Sequence, residues 1–279
     1  MPPAWKNTIE MVYFCAYNHT SDMSTRAKLN KLLKLWPRGG VCTTTWLREQ
    51  GYSHSLIQKY ESSDWIRSLG HGAYYRADDE PGWQGAVWAL QEQLGLKVHV
   101  SGTTALHLHG VSHYLAGAAL PLHLTGAPGE RLPMWLLQSP WGKRLHYCTS
   151  ALFPPTIEVG LEKKKSESFA LLVSSPERAM FEVLDGVPHA QDFEECENLM
   201  DYQVTSRPQL VQALLRKCSS VKVKRLYLLL AERAGHAWFE RLKLRGVYLG
   251  SGSREIVKGG VLDKKYHITV PRKAAAPEV

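Results

Sequence analysis

The chain has 279 residues, of which 44% are hydrophobic and 10% aromatic, and its formal net charge is +8. This composition excludes a disordered chain, and the length allows one small and one medium domain. The basic balance favours an anionic partner. The charge is concentrated near the end, because residues 206–273 contain sixteen lysines and arginines against four carboxylates.

Residues 1–23 lack a clear periodicity, and we predict that they form a disordered leader. The five cysteines are scattered and never spaced as C-x-x-C, which argues against a disulfide framework and against a zinc site. The longest apolar stretch runs from Tyr114 to Leu124, is too short to span a bilayer and contains Pro121. The sequence therefore predicts a cytoplasmic protein without a membrane segment.

The pattern of residues 24–80 predicts a helix, a second helix, a turn, a third helix and a hairpin. Leucines at helical spacing predict a first helix that ends near Pro37. The hydroxyls of residues 43–45 can cap a second helix, and a third is predicted over 53–62. Two strand-like runs joined at residues 70–72 complete the hairpin. This order is that of a winged helix-turn-helix.

The third helix is predicted to enter the major groove of DNA, as the second helix of a helix-turn-helix does. Leu56, Ile57 and Tyr60 can face a core, which leaves a polar face outside. On that face the Gln58 amide can pair with adenine through two hydrogen bonds. The alternative is that the winged helix binds another protein and that this face is simply solvated. The predicted DNA contacts are His54, Ser55, Gln58 and Lys59 on the helix, Arg67, His71 and Arg76 on the wing, and Thr43 and Thr44 at the preceding helix N-terminus.

The remainder of the chain predicts a linker and a second domain. A helix over residues 81–95 is interpreted as a hinge, and residues 96–271 are predicted to form a larger mixed α+β domain. Short strand-like runs, among them Trp135–Gln138, alternate with glycine and proline turns until about residue 173. Helices are predicted at about 176–185, 191–203, 208–217, 221–234 and 236–243, then a terminal hairpin or meander over 247–270 and a loose tail over 272–279. The predicted fold class is α+β, with an N-terminal winged helix-turn-helix followed by this larger domain.

A basic C-terminal surface is predicted from six cations. Lys222, Lys224 and Arg225 fall within one helical turn, and few carboxylates lie nearby in the sequence. Because buried cations need partners, we expect at least two of these three to be exposed and able to bind an anion. A generic solvated surface is the alternative. The other members of the basic C-terminal surface are Arg245, Arg254 and Lys258.

No catalytic or metal site is predicted. His107, His109 and His113 have partial metal-ligand spacing, but they lack a carboxylate partner, which favours histidines packed in a core. Gly252-Ser253 with Asp263 resembles a nucleotidyltransferase site only faintly, because Lys265 stands where a second metal-binding carboxylate is needed. The acidic residues between 192 and 201 could serve a nucleic-acid-acting enzyme targeted by the winged helix, although a solvated helix face explains them. We predict no enzyme and no cofactor.

Several segments together resemble one known family. The run LLKLWPRGGV from Leu32 to Val41 and the run LGHGAYYR from Leu69 to Arg76 resemble the N-terminal domain of the AbiEi antitoxins. These proteins are regulators of type IV abortive-infection toxin-antitoxin systems. The segments at 101–106, 175–179, 221–226 and 249–254 are similar to the second domain of the same family, so that the resemblance covers residues 25–271.

This resemblance implies a repressor of its own operon that binds operator DNA, expected to contain inverted repeats. It also implies that the protein counteracts a co-encoded nucleotidyltransferase toxin. Within the family, the antitoxic function is associated with the C-terminal domain. The resemblance thus implies one DNA partner and one toxin partner for the two predicted domains.

Overall fold

The computed structural model describes residues 26–111, 120–154, 158–166 and 168–272. The predicted leader, His113 and nearly all of the predicted tail lie outside these ranges. Within them, every helix is too short or too polar to cross a lipid bilayer. The mixture of helices and sheets confirms the predicted α+β class.

The N-terminal body contains the predicted order of helices and hairpin. Thr43 begins helix α2, where its hydroxyl oxygen accepts a hydrogen bond from the Trp46 amide at 3.2 Å. Ser53 begins helix α3, where its hydroxyl accepts one from Leu56 at 3.4 Å. The three short strands form an antiparallel sheet in the order β1-β3-β2. The elements are α1 (26–35), β1 (Cys42–Thr43), α2 (Thr44–Glu49), α3 (His54–Ser62), β2 (Ile66–Gly70) and β3 (Ala73–Arg76).

One small core holds these helices together. Leu32 lies in α1, and Trp36 follows directly after its end. Both side chains pack with Ile57 and Tyr60 of α3, and all four are at most 2% exposed. The Trp36 indole N–H donates to the Gly40 carbonyl at 2.9 Å, which fixes the chain where α1 ends. Large apolar side chains at helical spacing therefore set the position of α3 relative to α1.

The predicted linker helix over residues 81–95 packs against both bodies. An α-helical part, α4 (Trp83–Trp88), continues as one π-helical stretch (Ala89–Gln93). Its Leu90 is fully buried in the core of the second body, which also takes in Val41 of the first. The side-chain nitrogen of Gln93 donates to the Val41 carbonyl at 2.8 Å. The side-chain oxygen of Gln93 accepts from the backbone N–H of Thr43 at 2.8 Å. The π-helical stretch thus contacts both bodies.

The second body is built on a five-stranded mixed sheet in the order β6-β5-β4-β8-β7. The β4–β8 and β5–β6 pairs are parallel, and the other two pairs are antiparallel. The predicted strand at Trp135–Gln138 is wrong: Met134–Leu137 forms a short helix, α6, that buries Trp135 and Leu136. The elements are β4 (Val98–Val100), α5 (Gly102–Leu108), β5 (Leu122–Gly126), α6, β6 (Leu145–Thr149), β7 (Leu161–Lys165) and β8 (Ala170–Ser174).

Four longer helices cover the sheet and carry a terminal three-stranded sheet. The predicted start of α7 is confirmed, because the Ser175 hydroxyl caps Arg178 and Pro176 occupies the first turn. The predicted helix over 236–243 is only a 3-10 turn, Phe239–Arg241. The predicted terminal hairpin or meander is a sheet of order β10-β11-β9, with β9 parallel to β11. The elements are α7 (Pro176–Asp185), α8 (Phe193–Asp201), α9 (Pro208–Lys217), α10 (Val221–Arg233), β9 (Arg254–Glu255), β10 (Val261–Asp263) and β11 (Ile268–Val270).

Candidate nucleic-acid interface

Helix α3 has the two faces that the sequence predicts. Ile57 and Tyr60 are buried, and Leu56 is partly buried against the same core. The opposite face is exposed and presents His54, Ser55, Gln58 and Lys59. An exposed polar helix face backed by a packed core is the geometry needed for reading base edges in a major groove.

The exposed side chains of α3 differ in whether they already have a hydrogen-bond partner. The Ser55 hydroxyl lies 3.1 Å from that of Ser53, within the capping turn. Gln58 and Lys59 have no side-chain hydrogen bond or ion pair to any residue that the structure describes. Their amide and ammonium groups are therefore available to a partner, with only water to displace.

The two threonines at the start of α2 are less available than expected. Thr43 is only 2% exposed. Its hydroxyl donates to the Gln93 side-chain oxygen at 3.1 Å and also caps Trp46. Thr43 is therefore a structural residue, and its assignment to DNA contact is wrong. Thr44 is partly exposed, and its amide donates to the Gly72 carbonyl at the wing turn at 2.9 Å.

The arginines of the wing are paired with carboxylates of the wing. Arg67 is exposed and makes two hydrogen bonds to Asp64, of 2.9 Å and 3.0 Å. These bonds hold the pKa of the Asp64 carboxyl below its usual value. The Arg76 side chain is only 11% exposed and lies 3.4 Å from Asp78. His71, in the wing turn, is exposed.

The charge of the N-terminal body is therefore divided between its two halves. Residues 26–62, which contain the three helices, carry seven lysines and arginines against the two carboxylates Glu49 and Glu61. Residues 63–80, which contain the wing, carry Arg67 and Arg76 against four carboxylates. A polyanion is attracted by the helical half and repelled by the net charge of the wing.

Two members of the basic C-terminal surface are buried, and a third, Lys222, is only partly exposed. Lys224 is 4% exposed and Arg225 2% exposed, so the expectation that at least two of the first three are exposed is wrong. The Arg225 guanidinium donates to the carbonyls of Leu249, Gly252 and His267 at 2.7 to 2.8 Å. Backbone carbonyls thus replace the carboxylates that the sequence lacks.

The other two side chains of this turn also have structural partners. The Lys222 ammonium donates to the carbonyls of Asp185 and Val187 at 2.7 Å each, where helix α7 ends. Burial lowers the pKa of Lys222. The Lys224 ammonium lies 5.7 Å from the centre of the Tyr248 ring. Only Arg245, Arg254 and Lys258 remain exposed among the six predicted cations.

The carboxylates and histidines weighed as catalytic candidates do not come together. On α8, Phe193 and Cys196 are buried while Glu194 and Glu195 are exposed, as a solvated helix face requires. His107 is exposed, which corrects its placement in a core, and His109 is half-buried with its ring 3.1 Å from the Ser174 carbonyl. No group of three His, Cys, Asp or Glu that could hold a metal ion occurs among residues 26–111, 120–154, 158–166 and 168–272.

Comparison with protein families settles the resemblance. Residues 25–117 match the family described as transcriptional regulator, AbiEi antitoxin N-terminal domain. Residues 120–271 match the family described as transcriptional regulator, AbiEi antitoxin, type IV toxin-antitoxin system. The chain belongs to the AbiEi antitoxin family. No curated protein sequence matches it.

A solved structure supports the fold of this AbiEi protein. The crystal structure of the RV2827C protein from Mycobacterium tuberculosis is similar with a TM-score of 0.54 and 14% sequence identity. The similarity covers 82% of this chain and 85% of that one. At this identity the likeness concerns the fold alone.

Sequence reasoning missed one buried ionic cluster in the AbiEi protein. Glu182 accepts hydrogen bonds from His99 at 2.9 Å, from Ser174 at 2.8 Å and from Arg178 at 3.1 Å. Burial raises the pKa of Glu182, but the nearby charges of His99 and Arg178 lower it further, so the pKa is below its usual value. The SPERA segment at 175–179 contains Arg178, but nothing in it indicates the partners from β4 and β8.

Proposed function

We propose that this AbiEi protein represses its own operon by placing α3 in the major groove of operator DNA. The observation that carries the proposal is the exposed face of α3, on which Gln58 and Lys59 have no partner among the described residues while the opposite face is anchored in a core. His54 and Ser55 lie at the N-terminal end of the same face. Bases are read from this face, and phosphates position the protein.

The test is binding of the full chain to its own promoter DNA and to random DNA, measured over a range of salt concentrations. Preference for the promoter supports the proposal. Gln58→Ala is expected to reduce that preference by about 1 to 3 kcal/mol, the discrimination of one bidentate base contact. The control is Gln138→Ala, at an exposed glutamine of the second body. Equal affinity for both DNAs would overturn the proposal, and salt-insensitive capture of a protein would favour the interaction-module alternative.

We further propose that the second body neutralises a co-encoded nucleotidyltransferase toxin in the cytoplasm, and that it does so as a binding protein rather than as an enzyme. Support comes from the match of residues 120–271 to the antitoxin family. The exposed cations Arg245, Arg254 and Lys258 suit an acidic protein surface or a toxin-bound RNA. Rescue of cells that express the toxin is the direct measurement. Toxin growth arrest that persists in the presence of the folded chain would reject this part.

A further inference from the structure

Helix α1 of the N-terminal body has a lysine face for which the fold gives no structural use. Its apolar residues Leu29 and Leu32 are buried in the core of the body. Lys28, Lys31 and Lys34 are exposed and follow one another at intervals of three. Residues 26–35 contain no aspartate or glutamate. Each lysine therefore stands beside another cation, and like charges at this helical spacing repel.

These lysines differ from the wing arginines in their pairing. Arg67 and Arg76 have carboxylates within 4 Å on their own wing. Lys28, Lys31 and Lys34 have no ion pair to any residue in the described part of the chain. An external anion that binds the α1 lysines displaces only water. An anion that binds the wing arginines must also displace a carboxylate.

The contacts of α1 place it beside the start of the DNA-reading helix. The Tyr52 hydroxyl donates to the Lys28 carbonyl at 3.0 Å, and Tyr52 directly precedes Ser53, the first capping residue of α3. Leu29 of α1 lies in the same cluster as Ile57 of α3. These contacts place the Lys28 flank of α1 next to the N-terminal end of α3.

We propose that Lys28, Lys31 and Lys34 bind backbone phosphates of the duplex that α3 reads, so that α1 rather than the wing supplies most of the electrostatic attraction. The inference rests on the proposed DNA binding and assigns its phosphate contacts. Phosphate is the expected ligand because a lysine ammonium group acts as a point charge on a flexible side chain. Unlike a guanidinium, it cannot form the paired hydrogen bonds that recognise a base edge. Such contacts set affinity and salt dependence and leave sequence preference unchanged.

The experiment compares three variants of the full chain in titrations with promoter and random DNA across salt concentrations. In the test variant, Lys28, Lys31 and Lys34 are changed to Ala. The matched control removes the same charge from exposed sites of the second body, by changing Lys165, Arg216 and Lys217 to Ala. In the third variant the α1 lysines are changed to Arg, which keeps the charge.

The test variant is expected to lose about 0.9 units of the slope of log affinity against log salt for each phosphate contact. It should weaken binding to both DNAs by the same factor, so that the ratio between them is kept. The matched control and the Arg variant should keep the wild-type slope. A slope in the test variant equal to that of the matched control would overturn the inference while leaving the proposed function intact. Absence of promoter preference in the wild type is the separate failure of the proposed function itself.

Discussion

At the scale of single residues, buried charges of the second body are satisfied by groups from several different segments. Arg225 binds carbonyls of the segment after α10, and Glu182 of α7 collects donors from β4, β8 and its own helix. A buried charge that loses its partner is costly, so each of these residues fixes several segments at once. Their roles are structural, and their substitution tests stability.

Replacing Arg225 with Ala is expected to destabilise the protein. The change leaves the carbonyls of Leu249, Gly252 and His267 without a charged donor in a partly buried place. The loss should amount to at least about 2 kcal/mol, since hydrogen bonds to charged groups contribute about 1.5 to 3 kcal/mol each. Chemical denaturation measures it, with Arg245→Ala at an exposed site as the control. Equal stability of the two variants would contradict the structural role of Arg225.

Replacing Glu182 with Gln should remove a pH-dependent part of the stability. The change removes the carboxylate that pairs with Arg178 and accepts hydrogen bonds from His99 and Ser174, and it should cost about 3 to 5 kcal/mol at neutral pH. Because the folded pKa of Glu182 is lowered, its contribution is complete above the unfolded pKa and is lost as the pH falls through the folded one.

The measurement is the free energy of unfolding of wild type and Glu182→Gln between neutral pH and about pH 3. The free-energy difference between the two curves should shrink as the pH falls through the lowered folded pKa of Glu182, where the wild-type carboxyl becomes protonated. The exposed Glu194→Gln on α8 is the control and should follow the wild type. A constant gap over the whole range would show that Glu182 acts through shape and not through charge.

The structural role of a residue was predictable where its hydrogen-bond or packing partner lies within a few residues in the sequence. The capping roles of Thr43, Ser53 and Ser175 follow from their own helices, and so do the two faces of α3. The burial of Lys224 and Arg225 could not be predicted, because charge counting considers carboxylates and overlooks backbone carbonyls from a distant segment.

At the scale of elements, the long helices were predictable and the short ones were not. The predicted helix at 208–217 has the observed bounds, because its apolar spacing is regular over ten residues. The run at 135–138 is too short for its period to distinguish helix from strand. Strand β7 was missed, since its LEKKK sequence has charged residues where an interior strand has apolar ones, as suits the sheet edge that it occupies.

The packing of residues 83–93 against the second body determines how isolated fragments should behave. A fragment of residues 96–279 lacks Leu90 and its apolar neighbours, which fill the core of the second body. We expect this fragment to be insoluble or to unfold at a much lower temperature. A fragment of residues 81–279 keeps these residues and should fold. Circular dichroism melting of the two fragments is the measurement, and equal melting temperatures would show that α4 adds no stability to the second body.

At the scale of the whole molecule, cationic regions lie at opposite ends of the chain. The helical half of the first body is basic, its wing is acidic, and the net basic charge after residue 206 is partly absorbed by structural contacts. The exposed cations Arg245, Arg254 and Lys258 are separate in sequence from the α3 face. This arrangement suits a protein with two partners, in which each body meets its own.

This division of labour predicts two variants with opposite defects. Gln58→Ala should weaken repression of the operon and leave toxin neutralisation intact, because α3 belongs to the first body. Arg245→Glu, Arg254→Glu and Lys258→Glu combined should abolish rescue from the toxin, since they place negative charge against the proposed partner. All four positions are exposed, so the melting temperatures should stay near that of the wild type, in line with shifts of about half a kcal/mol or less per surface substitution. Promoter reporter activity and growth of toxin-expressing cells are measured for both variants, and loss of both activities in either one would contradict the assignment of one partner to each body.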